Sequence, residues 1–288
     1  MPFTLSHAAA VLPLIRRDGT ARGPLVPSAL VAGSFAPDLA YFADSLAPGA
    51  AELGDFTHSL PGVLSADIAV TAVLVAAWLL LREPLVALLP GSWQGRTYLL
   101  LRGSSWRGRR PFALAWRFCV SAALGAATHV VWDAFTHLDR WGMRIFPVLG
   151  KEIAGSPMYW YAQYGGSAVA LAVVTVFVWS ALRRLRVPAE GLPLLVLSAR
   201  ERWLALSFLV LCAAVGTGHR ATRWLAYVGD DFKPWEIIPT VCFGAGAGLS
   251  VGLVLYAAAV RLRRRATDPP AAADRPERRP ERTRPTPR

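Results

Sequence analysis

Charge is scarce in this chain: only 17% of its 288 residues are Asp, Glu, Lys or Arg, against about 25% in an average soluble domain. Cysteine is scarce too. Cys119, Cys212 and Cys242 all lie within apolar runs, which gives no support to a disulfide framework. Lysine is confined to Lys151 and Lys233. The glycines that recur every fourth residue, Gly244, Gly248 and Gly252, do not fit a dinucleotide fingerprint and follow no strand; they suit close approach of a second helix. What the chain has in quantity is apolar surface, 54% of residues, with a mean hydropathy of +0.37. That excludes an extended disordered protein and points to a bilayer.

Five segments approach or reach the roughly 20 apolar residues that cross hydrocarbon as a helix: Val63 to Leu81, Phe112 to Trp132, Gly165 to Leu182, Trp203 to Thr217 and Ile238 to Val260. A sixth stretch, Pro24 to Phe42, is just long enough to cross but is interrupted by Pro27 and Pro37. Phe3 to Ile15 is too short to cross alone and reads as a half-helix or an interfacial one. It is not a signal peptide, because Arg16 and Arg17 follow its apolar core instead of preceding it. The expected fold is therefore an all-α, polytopic transmembrane bundle of five to seven segments over residues 1–265. The Arg/Pro-rich stretch 266–288 cannot build a core and reads as a disordered tail.

The net charge of +12 would suggest nucleic acid in a soluble protein, but the arginines sit at membrane boundaries. Arg82 to Pro111, the stretch after Leu182, and Arg261 to Arg265 carry most of them. Strict alternation places these three regions on one side, cytoplasmic by the positive-inside rule. Asp139 to Gly155 and Gly218 to Trp235 then lie outside. The expectation is a multi-pass protein of the bacterial inner membrane with a cytoplasmic C-terminus, lipids as its surroundings and no nucleic-acid partner.

Four of the five histidines fall in short polar clusters of the first half: Ser6-His7-Ala8, Thr57-His58-Ser59, and Thr128-His129 through Asp133 to His137, with Pro37-Asp38 between the first two. On a helix, positions four apart share a face, so His129, Asp133 and His137 form a polar ridge at the end of a span. Ionisable groups at that depth are costly unless paired or bound to a cation. Imidazole with carboxylate suits zinc, and also manganese or iron. The plainer alternative is that His129 bonds a backbone carbonyl while Asp133 and His137 pair with each other. In the expected topology Asp38, His58 and the His129 ridge share one depth at the outer face, and His7 joins them if its segment stops part-way. Asp67 is either a further ligand, a ligand-orienting group or a helix-packing acceptor. Asp44 and Asp55 are expected to face solvent, and His219 to lie apart on an outer loop.

The order of these clusters resembles the bacterial membrane-bound metal-dependent hydrolase families, which carry an N-terminal His, then Pro-Asp, Thr-His-Ser and His-x-x-x-Asp. The start Pro2-Phe3-Thr4-Leu5-Ser6-His7-Ala8-Ala9, with Pro37-Asp38 and the stretch from His129 to His137, is similar more specifically to an actinobacterial integral membrane family of unknown function. The resemblance covers roughly residues 1–180. It implies His7, Asp38, His58, His129 and Asp133 as metal ligands, with His137 added from the extended motif. Pro37-Asp38 is followed by Leu39-Ala40 where the better-known pattern has a second Asp, and Thr57-His58 lacks a preceding His-Arg pair.

The chemistry that follows is hydrolytic. Zinc with an open position lowers the pKa of bound water from about 16 towards 7, and Asp38 or Asp133 can take its proton. A lipid ester or phosphoester at the outer leaflet is the expected substrate class. Arg140, Arg144 and Lys151 are either ordinary loop charges or contacts for an anionic head group. Trp132, Trp141, Tyr159, Trp160, Tyr161 and Tyr164 read as an interfacial aromatic belt. A metal-binding transporter and a non-catalytic metal-storing scaffold are the rival readings.

Overall fold

The computed structural model describes residues 3–103, 110–138, 140–188, 192–229 and 232–267. It is all-α apart from a two-residue hairpin, β1 Glu152–Ile153 with antiparallel β2 Ser156–Pro157. The chain opens with a 3-10 turn, Thr4–His7, that runs into α1 Ala8–Val11. Then come α2 Pro27–Gly33, α3 Leu39–Ala43, α4 Gly54–Thr57, α5 Leu60–Leu64, α6 Ala66–Ala87, α7 Gly91–Arg102 and α8 Pro111–Ala134. The second half holds α9 Trp141–Ile145, α10 Met158–Arg184, α11 Ala199–Val228 and α12 Ile237–Thr267. The tail expected at 266–288 lies outside the described residues beyond Thr267.

Five helices, α6, α8, α10, α11 and α12, are long and apolar enough to span a membrane. Their outward faces are apolar: Val73 is 65% exposed, Val176 65% and Val210 69%, surface that water would penalise at about 25 cal/mol per Å² and that lipid accepts. Each span runs longer than its hydropathy peak. Helix α11 continues to Val228, so His219 lies on a helix, exposed, and not on the loop expected from Gly218 onwards.

The stretch Pro24 to Phe42 does not form one crossing. It breaks after Gly33 into a 3-10 turn, Ala36–Asp38, and the short α3, because Pro37 supplies no amide hydrogen and disfavours helix at the residue before it. The first segment forms short helical pieces from Thr4 to Leu14 and is likewise not a crossing.

Two small-residue contacts set the bundle. Helices α2 and α8 touch backbone to backbone: a Cβ at Gly125 would sit 2.3 Å from the Leu30 carbonyl oxygen and 2.8 Å from Ser34 N. Helices α11 and α12 do the same, as the glycine spacing suggested, with a Cβ at Gly248 2.1 Å from the Cys212 carbonyl oxygen. At the arginine-rich end Ala87, Leu197, Leu209 and Tyr256 pack together, and Tyr256 donates to the Pro84 carbonyl at 3.0 Å.

Candidate metal centre

The broken α2–α3 stretch, the α4 C-terminus and the end of α8 bring Asp38, His58, His129 and Asp133 together. Each offers one ligand atom, and these four atoms lie within 4.8 Å of one another. All four residues are buried, Asp38 and His129 at 0% exposure. Such a cluster can hold a metal ion.

His58 and His129 are each oriented by a backbone carbonyl. His129 Nδ1 lies 2.7 Å from the Ser34 carbonyl oxygen, just past the end of α2. His58 Nδ1 lies 2.8 Å from the Gly54 carbonyl oxygen. A carbonyl only accepts, so both Nδ1 atoms carry the hydrogen and donate. In the neutral rings Nε2 therefore presents a lone pair, and it faces carboxylate oxygens. His129 Nε2 stands 3.4 Å from Asp38 Oδ1 and 3.4 Å from Asp133 Oδ2. His58 Nε2 stands 3.8 Å from Asp38 Oδ1 and 3.5 Å from Asp133 Oδ2.

These separations discriminate between two uses of the cluster. An imidazolium bonded to a carboxylate closes to about 2.7–2.9 Å. Four ligands on one tetrahedral ion at 2.0–2.2 Å stand about 3.3–3.6 Å apart along each edge. The four imidazole–carboxylate edges, 3.4–3.8 Å, exceed the first and lie near the second, in a group whose atoms fall within 4.8 Å of one another. His129 Nε2 and Asp133 Oδ1 make no hydrogen bond among the described residues, an arrangement that is costly to bury unless a cation engages the site. The carbonyl bond expected of a purely structural His129 is present, but it uses Nδ1 and leaves Nε2 for the centre.

The second layer holds the carboxylates and the loop. Thr4 Oγ1 donates to Asp38 Oδ2. Thr57 Oγ1 donates to the Pro37 carbonyl at 2.8 Å, which ties the Thr-His turn to the Pro-Asp turn. His7 is stacked on His129, centroids 3.7 Å apart and planes 14° apart, with its Nε2 3.5 Å from Asp133 Oδ1. Burial, reinforced by the neighbouring His129, brings its pKa down to about 3, so its ring is neutral at pH 7.

His137 differs from the expected ridge. Helix α8 ends at Ala134, so the i, i+4 face stops short, yet the following turn still returns His137 Nδ1 to 3.7 Å from Asp133 Oδ2. Its Nε2 meets Gln163 Nε2 at 3.2 Å. Burial lowers its pKa to about 4, and its side chain is 29% exposed. All six residues proposed as ligands thus converge, in a tight group of four flanked by His7 and His137. Asp67 is also fully buried, but its carboxylate accepts no hydrogen bond among the described residues and it is not one of the four. The helix-packing bond considered for it is not seen.

A cavity of about 110 Å³ lined by Tyr41, His58, Asp133, His137, Arg140 and Phe243 opens onto the group. Sequence reasoning missed Tyr41 and Phe243. It also misplaced Asp44, expected in solvent: Asp44 Oδ2 pairs with Arg220 at 3.3 Å, and Arg220 donates as well to the Tyr41 carbonyl and to Ser45 Oγ at 2.9 and 2.7 Å. These bonds dock α11 beside the cavity wall. Asp55 does face solvent, 92% exposed.

A family model described as Domain of unknown function (DUF4184) matches residues 1–258. The chain belongs to this family. The match takes in every residue of the cluster and all but the last nine residues of α12. No curated protein matches the chain, and no solved structure does.

Proposed function

We propose that this DUF4184 protein is a membrane-embedded, metal-dependent hydrolase acting on a lipid ester or phosphoester at the outer leaflet. The observation that carries the reading is the pair of carbonyl-fixed imidazoles, His58 and His129, aiming Nε2 lone pairs at two carboxylates across tetrahedral-edge distances. Three further points support it: the all-N/O donor set suits zinc, the cavity gives the cluster an approach from outside, and the order of the clusters resembles the bacterial membrane-bound metal-dependent hydrolases.

Zinc held by all four residues would take a water only as a fifth ligand, and would acidify it there. The chain supplies the rest. His58, His129, Asp38 and Asp133 would hold the ion, while Ser34, Gly54 and Thr4 fix the orientation of His129, His58 and Asp38. His7 and His137 flank Asp133 on its two oxygens. Of the two carboxylates assigned as proton acceptors, Asp133 is the better placed, because it borders the cavity and keeps Oδ1 on the side away from the His58 and His129 Nε2 atoms that its Oδ2 faces, whereas Asp38 is enclosed and held by Thr4. The arginine distribution supports a cytoplasmic C-terminus in a bacterial inner membrane, with the cluster towards the opposite face.

The test is the metal content of the protein purified without added chelator, followed by hydrolysis of a panel of phospholipid, glycolipid and isoprenoid phosphate esters. Near-stoichiometric zinc with turnover that a chelator abolishes is expected. Full turnover by metal-free protein refutes the mechanism. Tight metal binding without hydrolysis across the panel favours a transporter or a scaffold.

A further inference from the structure

Among the described residues Arg140 is the one Arg or Lys lining the 110 Å³ cavity, beside His58, Asp133 and His137. It is 27% exposed, and its partner is Asp55, a single contact at 3.3 Å to a carboxylate that is 92% exposed. An ion pair so open to solvent is weak and readily exchanged. The cavity is small beside the 300–1,000 Å³ of sites that enclose a drug-sized ligand. It admits one compact polar group and leaves the remainder of a substrate outside.

Charge decides which group. Two carboxylates and neutral imidazoles around a divalent ion sum to zero, so the centre by itself selects no charged substrate. A neutral carboxylic ester has no use for a guanidinium at the mouth. A phosphoryl group does: its non-bridging oxygens match the guanidinium fork, and charge-assisted bonds to them are about twice as strong as neutral ones. We infer that Arg140 is the phosphoryl-binding residue of this site, released from Asp55 by the incoming anion, and that the substrate is a phosphoester and not a carboxylic ester. The inference rests on the metal-centre reading above.

The experiment uses full-length, zinc-loaded protein in detergent and measures binding of inorganic phosphate and of a short-chain phosphatidic acid by calorimetry, with metal content and melting temperature recorded for each variant. Arg140→Gln is expected to weaken both ligands about 10- to 100-fold, the loss of a hydrogen bond to a charged group, with zinc retained. Asp55→Asn removes the competing carboxylate and is expected to tighten both severalfold. If Arg140→Gln weakens the lipid far more than the inorganic ion, the source is the lipid head group; equal weakening makes the phosphoryl group alone the recognised unit. Unchanged phosphate affinity in Arg140→Gln, or weaker binding in Asp55→Asn, would overturn the inference. Zinc retained in the wild-type protein without any phosphate binding would overturn it and leave the metal centre standing, whereas a wild-type protein that takes up no metal would overturn both.

Discussion

Gly125→Ala tests whether the close contact of α2 with α8 sets the metal centre. The added Cβ would lie 2.3 Å from the Leu30 carbonyl oxygen, 2.8 Å from Ser34 N and 3.0 Å from the Gly33 carbonyl carbon, all backbone atoms that cannot rotate away. Opening the tightest of these to an attainable 3.0 Å requires the helices to part by about 0.7 Å. A shift of that size, taken along the 2.7 Å bond from His129 to the Ser34 carbonyl, stretches it to the edge of hydrogen bonding. His129 then loses the group that sets its tautomer and aim. Losing such a bond behind a ligand costs about 10- to 100-fold in metal affinity, and overpacking costs about 1–3 kcal/mol of stability. Competition with a chromophoric chelator reads the first, and thermal melting in detergent the second. Gly165→Ala is the control: nothing lies within 4 Å of its added Cβ, and in a helix the change is neutral or stabilising by up to about 1 kcal/mol. Wild-type zinc affinity in the Gly125→Ala protein would refute the reasoning.

His129→Ala and Asp133→Ala are expected to abolish stoichiometric zinc and turnover, measured by elemental content and ester hydrolysis, while His219→Ala, on the exposed face of α11, leaves both unchanged. Zinc affinity is expected to fall as pH drops, because each imidazole ligand must shed its proton to bind; a chelator-competition series from pH 5 to 8 checks it, and a flat profile would count against histidine ligation. Cysteine-accessibility labelling is expected to reach position 148 from outside and the stretch after Val260 only from the cytoplasm; the reverse pattern would invert the topology.

Much of the architecture was legible in the sequence because hydrophobic length is a local property. A helix that must satisfy every backbone group inside a bilayer needs a long apolar run, and five such runs became the five long helices. The spacing of His129 and Asp133, and the glycine repeat of α12, were likewise local, since a helix fixes which residues share a face. What sequence reasoning could not reach was set by contacts between distant segments. The Pro24 to Phe42 stretch had the length to cross, yet the chain broke at Pro37 and put the Ser34 carbonyl and Asp38 at the end of α8. The carbonyls of Ser34 and Gly54 determine which nitrogen of His129 and His58 faces the carboxylates, and a backbone carbonyl leaves no mark in composition. His137 left its helix and returned to Asp133 through a turn, and Asp44 was drawn from solvent by Arg220, some 176 positions away. Sequence alone therefore determined the residue types available for a metal and the apolar runs they border, whereas the tertiary structure decided the four-atom geometry, because edges of 3.4 to 3.8 Å depend on how closely Gly33 and Gly125 let two backbones meet.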